Sequence, residues 1–312
     1  MGMTTTTAET GFAVVAVDGT EEGYAAVRFA ADEARRQGIA LRLVHVMPSD
    51  LPLRSILGPA GRDLGGYASE TLASAARLAI DVVPELPVTT HRLVGGRVSE
   101  VVDLADAARF VVVGRRRATA LDLAWSGGTL DGIVSRARCT VMMVPSTSAS
   151  AERPARIVAG FKSSEHSAEL FGAAFAAADD LGAQLEVLHA WKLPSGYDDM
   201  IARRVSEATT NRKQEDAIGD LLGPWRESYP HVPIRIRVVH QYPVHALVEA
   251  SREADRLILV KPLHGSVVHH LGRTARGVLR LAECPVEVIP AEPHDQLTVP
   301  PLEVEQQGAL VR

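Results

Sequence analysis

The chain is short of cysteine, of long apolar runs and of positive charge, and each shortage removes a class of protein. Its 312 residues include two cysteines, Cys139 and Cys284, so no disulfide framework is on offer. No stretch approaches the ~18 consecutive apolar residues of a membrane span, and the longest apolar runs are strand-sized. The formal net charge of −5, with a pI near 6.1, argues against general nucleic-acid binding, which needs a basic face. Met1 to Thr10 is polar and Thr-rich, without the basic region and apolar core of a secretory leader. These exclusions lead to the expectation of a soluble cytoplasmic protein with neither a membrane nor a nucleic acid as partner.

What is present is ordinary globular composition, 46% hydrophobic and 23% charged, in a length that suits about two domains of roughly 150 residues. An internal repeat settles the organisation. Ile157 to Glu165 echoes Ala13 to Glu21. Leu43-Val44-His45-Val46 returns as Val187-Leu188-His189-Ala190, with His189 lying 144 residues after His45. Ala137-Arg138-Cys139-Thr140-Val141 returns as Ala282-Glu283-Cys284-Pro285-Val286, with 145 residues between the cysteines. Three landmarks in one order at nearly one offset define a tandem duplication.

Each copy alternates strand and helix. In the first, Phe12–Val17 is a Val-rich run of the kind buried on both faces of a sheet, and Glu21–Gln37 is a helix stopped by Gly38. Leu41–Val46 is the second strand. Pro48–Gly66 reads as a Gly/Pro loop before a helix over Tyr67–Val83, and Val88–Leu93, Val98–Ala108, Phe110–Val113, Leu130–Ala137 and Val141–Val144 complete the copy. The pattern predicts two tandem open parallel α/β sheets of Rossmann-like, adenine-nucleotide-binding type, with helices on both faces. The second copy repeats this over Arg156–Pro290, with one longer helix expected over Asp199–Tyr229. The predicted division is a first domain over 11–146, a second over 155–290, a polar linker Ser146–Pro154 and a mobile Pro/Glu-rich tail over 291–312.

Ligands of such sheets sit at the carboxyl ends of the strands, where loops and helix N-termini meet. In the first copy Asp18 closes the first strand, Gly114 closes the fourth, and Gly127-Gly128-Thr129 opens the last helix thirteen residues later. Glycines there allow bare amides to approach a phosphate without a Cβ in the way. At these residues the chain resembles the universal stress protein family, whose nucleotide-binding branch carries Gly-x2-Gly-x9-Gly-(Ser/Thr) here, an aspartate ending the first strand, and an Ala-x-Cys-Pro-Val-like final strand. The resemblance covers about Phe12–Pro145 and Arg156–Pro290. It implies that Asp18 and Val46 contact the adenosine part of a nucleotide, and that Gly114, Gly127, Gly128 and Thr129 hold its phosphates. It further implies ATP, with Mg²⁺ as an open companion, in the first copy only. Family members pair through their last strands, so Val141–Val144 and Val286–Ile289 are expected to join the halves as an intramolecular pseudo-dimer, with a homodimer also open.

The match is partial. Arg117 stands at the second glycine of the motif and Gly128 at its hydroxyl, with Thr129 a substitute one residue on. The run Arg115-Arg116-Arg117 reads either as phosphate-pairing guanidinium groups or as a solvated loop. In the second copy Lys162 stands for the aspartate, Lys261 for the first glycine with Pro262 behind it, and Arg273 for the hydroxyl. The loop from Lys261 to Gly272 is then two residues shorter. That half reads as a pocket that has lost its ligand, its basic residues solvated, against the sharper reading of an anion site made by Lys162, Lys261 and Arg273.

Other constellations carry less. Ser126 to Asp131 is similar to the Ser-Gly-Gly-x-Asp-Ser loop of ATP pyrophosphatases but has an extra residue, no following Ser and the wrong place in the chain. His264, His269 and His270 lack the Cys or carboxylate partners of a zinc site. His45 and His189, at equivalent strand ends, read as structural, and Cys139 and Cys284 as small core residues. With no nucleophile–base pattern and no metal carboxylate pair, the chain reads as a stress-response or regulatory module binding a nucleotide and an unknown regulatory protein. The alternatives are a protein-interaction scaffold that binds no nucleotide and, behind it, an ATP-hydrolysing enzyme.

Overall fold

In a computed structural model of the chain, residues 11–47, 49, 64–115, 127–146, 154–193, 195–263 and 271–291 are described. The first half runs β1 (Phe12–Ala16), α1 (Glu21–Gln37), β2 (Ala40–Met47), α2 (Leu64–Val82), β3 (Val88–Val94), α3 (Arg97–Ala105), β4 (Phe110–Arg115), α4 (Gly127–Arg136) and β5 (Thr140–Pro145). The second runs β6 (Arg156–Phe161), a 3₁₀ turn (Ser164–His166), α5 (Ser167–Asp180), β7 (Gln184–Trp191), α6 (Gly196–Val205), α7 (Glu207–Leu221), α8 (Gly223–Ser228), β8 (Ile234–His240), α9 (Pro243–Ser251), β9 (Arg256–Pro262), α10 (Arg273–Leu281) and β10 (Val286–Ala291).

Local chemistry explains the boundaries. Thr20 caps α1 by accepting from the Gly23 amide at 3.2 Å, and Gly38 ends it in the left-handed region at φ 63°. Three expectations are corrected. The single helix over Asp199–Tyr229 is three, with one break at Ser206 and a second before Pro224, which sits at the start of α8, where its missing N–H is harmless. Leu64, Gly65 and Gly66 belong to α2 and not to the loop before it. Ala291, assigned to the tail, extends β10 and pairs with Pro262. Residues 50–63, the linker stretch 147–153 and the tail from 292 lie outside the described residues.

The ten strands form one sheet in the order β3-β2-β1-β4-β5-β10-β9-β6-β7-β8. Pairing is parallel within each half and antiparallel where β5 meets β10, through Val141 with Val288, Met142 with Glu287 and Met143 with Val286. Met142 and Glu287 are equivalent in the repeat, so the local two-fold relating the halves passes between them. The last strands therefore join the halves as expected.

The two sheet faces are built differently. On one, Val14, Val111, Val141, Val158, Leu257 and Val286 share a single core with residues of α3, α4, α9 and α10 from both halves. On the other, each half has its own core, under α1 and α2 in the first and under α5, α7 and α8 in the second. Ions bridge the seam between those two cores: Arg256 of β9 binds Glu33 of α1 at 2.6 Å and Glu287 of β10 at 3.2 Å. Arg36 continues the chain to Glu33 at 2.5 Å and to Asp180 of α5 at 3.0 Å. The Glu33 carboxyl, which burial pushes up, is held down to about 2 by Arg256 and Arg36. Burial dominates at Glu287 and raises it.

Candidate functional site

Asp18 sits exposed just past β1. Its Oδ1 accepts from the Thr20 amide at 3.0 Å and the Thr20 hydroxyl at 2.6 Å, an Asx-type turn that steers the chain from strand into helix. Gly19 makes the turn at φ 83°, and a Cβ there would lie 2.3 Å from the Tyr67 hydroxyl. That hydroxyl donates to the Asp18 carbonyl at 3.1 Å. His45 Nδ1 lies 2.8 Å from the Val17 carbonyl, and His189 repeats the contact with Phe161 at 3.1 Å. In each half the imidazole ties the second strand to the end of the first. Burial lowers the His189 pKa, which the Phe161 contact partly offsets.

Val46 lies at the end of β2, packed against the shared core. Gly114, at the end of β4, runs directly beneath α1. A Cβ on it would fall 2.3 Å from the Glu22 carbonyl oxygen and 2.8 Å from the Gly23 nitrogen, so close packing of strand and helix already demands a glycine there. Gly127, Gly128 and Thr129 form the first turn of α4, and a Cβ on Gly128 would meet nothing within 4 Å. Residues 116–126, with Arg116, Arg117 and the approach to the glycines, lie outside the described residues. So do Gly265, His264, His269 and His270. Among the described residues no three His, Cys, Asp or Glu side chains group as a metal site.

Two basic residues depart from their expected roles. The Arg115 guanidinium neither faces a phosphate nor lies in solvent. It donates to the carbonyls of Arg280 and Ala282 at the C-terminal end of α10, in the other half. Lys261 does the same in reverse. It is buried, and its ammonium donates to the carbonyls of Val134 and, at 2.6 Å, Ala137, at the end of α4. Strand register explains the symmetry: Arg115 pairs with Pro145 and Lys261 with Pro290. Lys261 is thus the counterpart of Arg115, not of the motif glycine. Val260 stands where Gly114 does, and the loop to Gly272 is one residue shorter than in the first half, not two. Between these caps Asp131 of α4 takes Arg276 at 3.3 Å and Arg280 at 3.1 Å from α10.

The second half keeps a space at its strand ends. A cavity of about 340 Å³ lies among the ends of β6, β7 and β9 and the helices α9 and α10, with Lys162 and Arg273 among its lining residues and Ser135 reaching in from the first half. The thiols lie elsewhere. Cys284 is fully buried, and burial pushes the partly buried Cys139 up to about 11, away from nucleophilic use.

Two units of one kind, joined through their last strands, define the class. The family model described as the universal stress protein family matches residues 13–145 and again 155–290. The chain belongs to that family, as a tandem member. Among its relatives, the universal stress protein Rv2005c of Mycobacterium tuberculosis is 28% identical over 284 residues, covering 88% of this chain and 95% of the relative. Rv1996 of the same organism is 26% identical over 305 residues, covering 90% and 96%. The crystal structure of a universal stress protein from Archaeoglobus fulgidus superposes with a TM-score of 0.68 at 16% identity, over 90% of this chain and 97% of that one. No described helix is long and apolar enough to cross a membrane.

Proposed function

We propose that the protein is a stress-response regulatory module that binds ATP or a related adenine nucleotide in its first half, with Asp18 and Val46 at the adenosine end. Gly114, Gly127, Gly128 and Thr129 are assigned to the phosphates. The observation that carries this reading is the placement of Asp18, exposed at the end of β1, at the same strand-end edge of the sheet as Val46 and the glycine turn that opens α4. An acceptor for sugar or base and bare amides for phosphate are the two halves of nucleotide recognition in an open parallel sheet. Mg²⁺ would enter with the nucleotide, held largely by its phosphates and by water. The protein acts by binding, in the cytoplasm, with a regulatory protein as the receiver of the signal.

One observation favours a second reading, a scaffold that binds no nucleotide: packing beneath α1 accounts for Gly114 without any phosphate. Calorimetric titration of the full chain with ATP and Mg²⁺ separates the two. Saturable heat at one site per chain, lost in Asp18→Ala and kept in Lys162→Ala, supports the nucleotide reading, and no heat at high micromolar ATP supports the scaffold. Phosphate release that depends on Asp18 would instead make it an enzyme.

A further inference from the structure

The cavity of the second half has a lining that a nucleotide does not explain. Leu188, Leu247, Leu259 and Leu271 surround it with Pro243. Its volume of about 340 Å³ lies at the small end of the ~300–1,000 Å³ typical of ligand pockets. Among the described residues lining it, the charged ones are Lys162, Lys261 and Arg273, with no aspartate or glutamate. Lys261 is already committed to the carbonyls of Val134 and Ala137. That leaves Lys162 at the end of β6 and Arg273 in the first turn of α10, both exposed and neither in an ion pair among the described residues.

An apolar box with uncompensated cations at its rim and no acceptor side chain of opposite charge suits an anion with an apolar body. The body gains from leaving water, and the head group meets charge-assisted donors. The same features disfavour an adenine nucleotide. Lys162 presents a donor where Asp18 presents an acceptor, so the hydroxyls of a ribose and the amine of an adenine lose their partner. Val260 puts an isopropyl group where the first half has Gly114, and Pro262 behind Lys261 offers no amide.

We propose that this cavity binds a small amphipathic anion, a carboxylate or a monophosphate ester, with Lys162 and Arg273 at the head group and the leucines around the body. The second half is then a reader of a different ligand and not a silent partner of the first. The proposal does not depend on a nucleotide in the first half.

Calorimetry on the full chain tests it with octanoate, octyl phosphate, octanol and AMP. Octanoate or octyl phosphate should bind at one per chain, and the tighter of the two assigns the head group. Octanol, with the same body and no charge, should bind at least about tenfold more weakly. Lys162→Glu and Arg273→Glu, both surface changes, should each weaken the anion by about tenfold or more while leaving circular dichroism and any AMP binding unchanged. Octanol binding as tightly as octanoate overturns the proposal, as does anion binding that survives both charge reversals. Displacement of the bound anion by AMP one for one overturns it too, as does the absence of heat with either anion. An AMP titration of Asp18→Ala reports on the first half separately, so failure of either reading is seen by itself.

Discussion

The Lys261 ammonium of the second half donates to the Ala137 carbonyl of the first at 2.6 Å, and Arg115 of the first half donates to the equivalent carbonyl, Ala282, of the second. Each half thus closes the C-terminal end of the other's last helix with a cation, the end where the helix dipole and unpaired carbonyls favour one. The opposite ends of those helices, at Gly127 and Gly272, border the proposed ligand clefts of the two halves. A side chain rooted beside one proposed cleft therefore anchors the helix that borders the other.

Replacing Lys261 with Met keeps the aliphatic stem and removes the donors. The Val134 and Ala137 carbonyls lose this partner, and the change should cost about 1–3 kcal/mol in denaturant unfolding. A pH signature distinguishes this from a packing defect. Burial holds Lys261 down to about 8 in the folded chain, against an ordinary 10.5. Between those values the unfolded chain binds a proton that the folded one does not, so this group's contribution to stability rises from pH 8 to 10.5 and is flat below. The rise should disappear in Lys261→Met. If wild type and variant keep parallel profiles across that range, the lysine is not the buried cation described.

Much of the fold was legible in the sequence because it rests on local signals: apolar runs for buried strands, Gly38 past the end of α1, and the spacing of His45 and His189. The roles of Arg115 and Lys261 were not, because both partners lie in the other half, 124 residues or more away. The repeat itself misled at Lys261. An insertion or deletion in the loop hides which residue ends the strand, and hydrogen-bond register alone shows that Val260 replaces Gly114. The separation of α6, α7 and α8 is not legible, because the composition stays helical across both Ser206 and Pro224. In the first cleft the strand-end positions of Asp18 and Val46 could be placed from sequence, whereas the contact between Gly114 and the α1 backbone could not.

The Glu33–Arg256–Glu287 bridge gives a second test. Arg256→Met strands two buried carboxylates that share one guanidinium, and breaking such a network by removing one partner costs about 3–5 kcal/mol. For Glu33 the sign is that of a depressed acid. Its stabilisation is complete above 4.5 and is lost as pH falls toward 2. In Arg256→Met, Arg36 alone remains beside Glu33, so the acid loss should still begin near 4.5 but be smaller and end at higher pH. Glu287, raised by burial, contributes in the opposite direction, favouring the folded state as it takes up a proton. Acid titration of stability in wild type, Arg256→Met and Glu33→Gln separates the two carboxyls. An unchanged acid limb in Glu33→Gln would reject this assignment.

Gly114→Ala tests whether that glycine serves packing. The added methyl would lie 2.3 Å from the Glu22 carbonyl oxygen, and backbone cannot give as a flexible side chain does. Overpacking of this kind costs about 1–3 kcal/mol. The expected result is a lowered melting temperature without any ligand present. Unchanged melting with lost nucleotide binding would instead assign Gly114 to the phosphates alone.

Gly128 offers the converse, a gain. A serine Cβ there would meet nothing within 4 Å, and the position lies in the first turn of α4, where a glycine is less favourable than most residues. Gly128→Ser restores the hydroxyl that the family motif carries at this place, so it should be neutral or slightly stabilising in the free protein. If the first half holds phosphates as proposed, the added donor should tighten ATP by about ten- to a hundredfold, the net worth of one hydrogen bond to a charged group. Titration of wild type and Gly128→Ser with ATP and with adenosine decides the point. The gain must appear with ATP and be absent with adenosine, because the hydroxyl lies at the phosphate end. An equal gain with both ligands, or none with either, removes the Gly127–Thr129 turn from the phosphate site.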